Sequence, residues 1–140
     1  MQALFIVWSK KYDTGITILD EQHRGLVSLI NSFYYHRADA SADIERVLVP
    51  TAEMFKAYAK INFYTIEKLL AQVSYEELDK CHEEHKMILR GITLADSKYR
   101  AARDVNGMLE FLKKYWLAYV RKGSMKYIDF LKEHFPEEKK

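Results

Sequence analysis

With one cysteine, Cys81, among 140 residues, the chain has no internal disulfide partner. A reducing compartment is therefore the natural setting, and the chain is read as cytoplasmic. Long apolar runs are missing too: Leu4 to Trp8 is short, with no basic start and no small-residue cleavage site. Neither a membrane span nor a signal peptide is expected. No charge of one sign dominates, since 22 Lys and Arg face 20 Asp and Glu for a formal net charge of +2. That balance supplies no electrostatic reason to expect nucleic acid or an anionic membrane as a partner. Only two prolines and five glycines interrupt the chain, which favours long regular elements over a loop-rich fold. A chain of this length suits a single domain, 1–140, with enough apolar material for a core.

What the chain does have is helical periodicity. After an extended arm, 1–18, Leu19, His23, Leu26, Ile30, Phe33 and Tyr34 draw one face of helix A, 20–36. Ser41 is a candidate N-cap for helix B, which carries Ile44, Val47, Leu48, Phe55, Tyr58, Asn62, Ile66 and Leu69 to about residue 71. Pro50 implies a kink or a late start there. Ser74 and Glu77 have capping-box spacing ahead of helix C, whose stripe is Leu78, Cys81, His85, Ile88 and Ile92, ending near Tyr99. Asp104 is placed to cap helix D, through Met108, Leu112, Tyr115, Trp116 and Tyr119, with a break near Gly123 and an outer limit at Pro136. Residues 137–140 read as a charged tail. The expected fold is all-α, an up-down-up-down four-helix bundle with an extended N-terminal arm.

Several polar residues lie on these apolar stripes: His23, Asn62, Cys81, His85 and Tyr119 should converge inside the bundle. Bundles build metal sites in this way, from side chains projecting inward off facing helices. The sequence resembles the hemerythrin family, specifically the bacterial single-domain hemerythrins, over nearly its whole length. Trp8, Thr14-Gly15-Ile16 and Leu19-Asp20-Glu21-Gln22-His23 resemble the family's opening W…GI…iDeQH pattern. Asn62 to Leu69 stands where the family has HFxxEExL, Cys81 to His85 where it has HxxEH, and Leu112 to Val120 matches LxxWLxxHI in length. The resemblance implies a non-haem diiron, oxygen-binding site held by five His and two bridging carboxylates. Carried over one at a time, those positions are His23, Asn62, Ile66, Cys81, His85, Tyr119 and Ser124. Only His23 and His85 keep the family's residue, and they belong to different irons. Ile66 and Ser124 offer no bridging anion, and hard iron centres of this kind depend on imidazole and carboxylate. Glu67 and His82, each one residue off the face, are expected to point about 100° away.

The expectation is thus a degenerate metal site, no cofactor, and no O₂ carriage. The old ligand positions become packed core, with the Tyr119 hydroxyl available to His23, His85, Asn62 or Ser124. The alternative is a rebuilt mononuclear site at Cys81, His85 and Tyr119 holding a single metal ion, or a haem. His36, His82 and His134 read as surface residues. Ser124 and Cys81 lack activating partners, so no enzyme is expected. The role implied is an interaction, regulatory or sensory one with an unknown protein partner. Rings in excess of a small core, at Phe33, Tyr34, Tyr35, Phe63 and Tyr64, point to a homo-oligomer as one form of it.

Overall fold

The computed structural model describes residues 4–135. Met1 to Ala3 of the arm, Pro136 and the charged tail lie outside the described residues. The arm, expected to be extended to residue 18, bends at Phe5 and Ile6, makes one 3₁₀ turn at Lys10–Tyr12 and gives way to helix at Thr17; it is tied to the bundle at Ile6. The Ile6 N–H donates to Asn31 Oδ1 and the Asn31 amide donates to the Ile6 carbonyl, both at 2.8 Å.

Helix α1, Thr17–Tyr35, begins where Asp20 reaches back over the chain entering it. Its carboxylate accepts from the Thr14 N–H at 2.7 Å, the Thr14 hydroxyl at 2.8 Å and the Gly15 N–H at 3.2 Å. Gly15 takes φ 86°, a left-handed conformation that glycine adopts without steric cost. The Thr-Gly-Ile and Asp elements of the opening pattern are therefore a structural helix start. Leu19, His23, Leu26, Ile30 and Phe33 are buried as the periodicity implied, joined by Val27, while Tyr34 is half-buried.

The expected helix B divides into α2, Arg37–Ala42, and α3, Leu48–Gln72. Ser41 lies within α2 and donates to the Arg37 carbonyl instead of capping. Pro50 falls in the first turn of α3, where its missing N–H would have no intrahelical acceptor. The late start holds, and the chain reaches it through a separate helix.

Ser74 closes α3 rather than opening the next helix. It adopts φ 55°, and the Tyr75 N–H returns to the Leu70 carbonyl at 3.0 Å, the wrap of a Schellman ending. Helix α4, Leu78–Ala102, ends similarly at Arg103 with φ 53°. Asp104 caps α5, Val105–Lys114, by accepting from the Gly107 N–H at 2.8 Å. The chain then widens into a π-helical segment, Tyr115–Gly123, with the Ser124 N–H bonded to the carbonyl five residues back at Tyr119. Helix α6, Met125–His134, completes the fourth arm. The break expected near Gly123 is this change of pitch.

Helix α3 packs against α1 and α4, and α5 packs against α1 and α4, which makes an all-α four-helix bundle. Its apolar interior falls into two clusters. One contains Phe33, Phe55, Met108, Leu112 and Trp116, and the other Ile16, Leu19, Ile66, Leu70, Cys81, Ile128 and Leu131.

Candidate functional site

All seven positions carried over from the family are buried, with Tyr119 in the first apolar cluster and Ile66 and Cys81 in the second. On the α1–α3 side, His23 is 2% exposed and sits edge-on to Trp116, with ring centroids 6.2 Å apart. Burial lowers its pKa from 6.5 to about 4, with Asp20 raising it and Arg121 lowering it. The imidazole is neutral at pH 7. Asn62 donates to Gln22 Oε1 at 2.7 Å, and the Gln22 amide donates to the Thr65 hydroxyl at 3.0 Å. Ile66 is fully buried among aliphatic side chains. Ser124 donates to the Val120 carbonyl at 3.1 Å, satisfying itself within its own helical arm.

The α4 and π-helical side is built differently. His85, 1% exposed, stacks flat on Phe63 at 4.1 Å and 7° between planes. Both its ring nitrogens are engaged: Nδ1 lies 2.6 Å from Glu67 Oε2 and Nε2 lies 2.8 Å from the Tyr119 hydroxyl. Burial lowers the His85 pKa against the Glu67 contact that raises it, and burial raises that of Tyr119. The consistent assignment is a neutral imidazole donating from Nδ1 to the carboxylate and accepting at Nε2 from the phenol. Cys81 lies beneath, its Sγ 3.7 Å from His85 Nε2, and burial pushes its thiol up to about 12. Of the acceptors open to Tyr119, the one it uses is His85.

Glu67 is where the helical-wheel expectation fails. Its carboxylate spans the α3–α4 seam, bonding His85 with one oxygen and His82 Nδ1 with the other at 2.7 Å. A glutamate has enough rotatable bonds to recover the 100° offset that its Cα direction implies. His82 is exposed as expected, as are His36 and His134. Gln22 and Thr65, the other polar partners here, carried no sequence signal beyond Gln22 standing in the DEQH run.

No family model matches the chain. Among curated proteins it is similar to a bacteriohemerythrin of Pseudomonas aeruginosa (strain LESB58), 26% identical over 135 residues covering 94% of this chain and 85% of the relative. A bacteriohemerythrin of Clostridium acetobutylicum is 25% identical over 134 residues, 88% of this chain and 98% of the relative. One of Stenotrophomonas maltophilia (strain R551-3) is 22% identical over 131 residues, 92% and 83%. Over nearly its whole length the chain is thus similar to bacteriohemerythrins.

These relatives overturn the cofactor expectation. They point to a family whose cofactor is a diiron centre, so neither the absence of any cofactor, nor a single metal ion at Cys81, His85 and Tyr119, nor a haem is the right starting point. The residues of this hemerythrin-like bundle do not fit that centre. Ile66 and Ser124 cannot bridge two cations, Asn62 is engaged with Gln22, and His85 has no ring nitrogen left to donate to a metal. Among the described residues, no three or more His, Cys, Asp or Glu side chains are grouped so as to hold a metal ion. Among the same residues, no helix is long and apolar enough to cross a membrane.

Proposed function

We propose that this is a hemerythrin-like protein with an eroded diiron site, serving an interaction, regulatory or sensory role in the cytoplasm and not O₂ carriage or catalysis. The observation that carries this reading is His85 held at both nitrogens, by Glu67 and by Tyr119. A histidine with each nitrogen in a hydrogen bond serves a structural role, and its partners Glu67 and Tyr119 are paired with it without a cation. The apolar exchange at Ile66 and the self-contained Ser124 point the same way. The partner is expected to be a protein. Much of the aromatic surplus that suggested self-association lies inside the bundle: Phe33 and Phe63 are buried and Tyr34 stacks on Phe5, leaving Tyr35 and Tyr64 exposed.

The test is iron content and the visible spectrum of protein produced in iron-supplemented medium, with and without O₂. No O₂-dependent band is expected. A diiron stoichiometry with a band that appears and disappears with O₂ would overturn the reading. Returning the ligand types together, as Asn62→His, Ile66→Glu, Cys81→His, Tyr119→His and Ser124→Asp, is expected to raise the iron content above that of the natural chain.

A further inference from the structure

Charge that is nearly balanced along the sequence is unevenly distributed by the fold. A groove of about 940 Å³ runs between the arm's 3₁₀ turn, the end of α4, and the outer face of α5 and the π-helical segment. Lys11, Lys113, Lys114, Arg121 and Lys122 line it, against Glu110 as the one carboxylate. That local surplus exceeds the formal +2 of the entire chain. Among the described residues, none of the five cations is in an ion pair, whereas Lys56, Lys80, Lys86, Arg100 and Lys126 all are. Between the cations lie Tyr12, Tyr99, Phe111 and Leu117, the last 49% exposed. From Glu110 to Lys122 the wall is about 18 Å long at the helical rise per residue.

We propose that this groove docks an acidic segment of a partner protein, its carboxylates facing the five cations and an aliphatic or aromatic anchor resting on Phe111 and Leu117. The proposal rests on the interaction role argued above and supplies the surface for it. Charge complementarity selects the acidic partner. Single-stranded nucleic acid fits less well because it needs open ring faces for stacking. Arg121 lies over Tyr12 at 4.4 Å, and Lys98 lies over Tyr99 at 5.4 Å. A bilayer fits less well because the surface is concave. A helical segment of a little over three turns, at about 5.4 Å per turn, fills the groove's length and leaves its apolar side chains against the rings.

The probe is a fluorescein-labelled peptide of about sixteen residues with Glu at most positions and Leu and Phe at helical spacing, read by anisotropy against the full chain. Saturable binding is expected. It should weaken roughly tenfold or more in the Lys114→Glu, Lys122→Glu double variant, and comparably between about 0.05 and about 0.5 M salt. Both lysines are exposed, so the thermal melt should not move. If it does, Lys114→Gln with Lys122→Gln reads the same loss in smaller measure. No binding, equal binding by the double variant, or equal binding of a peptide with Gln for every Glu overturns the proposal. An oligothymidylate or an anionic phosphatidylglycerol vesicle bound as tightly as the peptide overturns it in favour of those ligands. Failure of the peptide without an O₂-dependent band removes the docking surface alone, whereas such a band removes the reading on which it rests.

Discussion

The two halves of the set of positions carried over from the resemblance are arranged by opposite means. On the α1–α3 side the polar groups are separated: His23 is neutral against an indole edge, Asn62 turns to Gln22, and Ile66 is aliphatic core. On the α4 side they are concentrated, with Glu67, His85 and Tyr119 in one hydrogen-bonded line that Glu67 continues to His82 at the surface. Buried polar groups can thus be accommodated by separation or by internal pairing. The indole N–H of Trp116 beside His23 and the Tyr115 hydroxyl beside Tyr119 are buried without a partner, and the two halves respond differently to substitution.

The largest expected effect comes from putting a family carboxylate back alone. Ile66→Glu buries an acid with no cation beside it, and urea unfolding at pH 7 should show a loss of about 3 to 5 kcal/mol, shrinking at lower pH as the carboxyl protonates. Next is the proton dependence of His23. Its folded pKa of about 4 lies below the unfolded 6.5, so between those values the unfolded chain holds a proton that the folded chain does not. Stability should be full above pH 6.5 and fall through this window by roughly 3 kcal/mol, and His23→Phe should flatten the fall measured by denaturant titration across pH. His85, also lowered by burial, contributes with the same sign.

Smaller losses should define the paired side. Glu67→Ala leaves the buried His85 Nδ1–H without its acceptor and should cost about 1 to 3 kcal/mol, and Tyr119→Phe about 1 kcal/mol. Because both act through one imidazole, their double variant should depart from additivity by about 0.5 kcal/mol or more. The sharpest test of the comparison is also the smallest in size. Asn62→Ala with Tyr119→Phe should add to within about 0.5 kcal/mol, since the two belong to separate polar arrangements. Strong coupling there would mean that the halves are one network.

The helical stripes and the Asp104 cap were legible because they are local, repeated signals: Leu19, Leu26 and Ile30 face the core as their spacing implied. Ser41 and Ser74 misled because serine bonds backbone in many settings. One donates within α2, and the other sits in the left-handed ending of α3. The π-helical pitch of Tyr115–Gly123 carried no periodic signature of its own. At the site, placing seven residues at the core needed only their helix faces, and that reading held for their burial. Glu67 was beyond it, because a helical wheel records where a side chain leaves the backbone and not where a long flexible one arrives.

The link between Asn31 and Ile6 bears on how the molecule avoids unwanted company. Extended backbone with free N–H and C=O groups is a template on which another strand can form. At Ile6 a single side-chain amide supplies both the donor and the acceptor that a neighbouring strand would offer. Asn31 thus occupies both backbone groups of Ile6, at a bend of the arm, so that neither is open to another chain. Removing it, as in Asn31→Leu, would expose a stretch whose side chains at Leu4, Phe5, Ile6 and Val7 are suited to sheet formation.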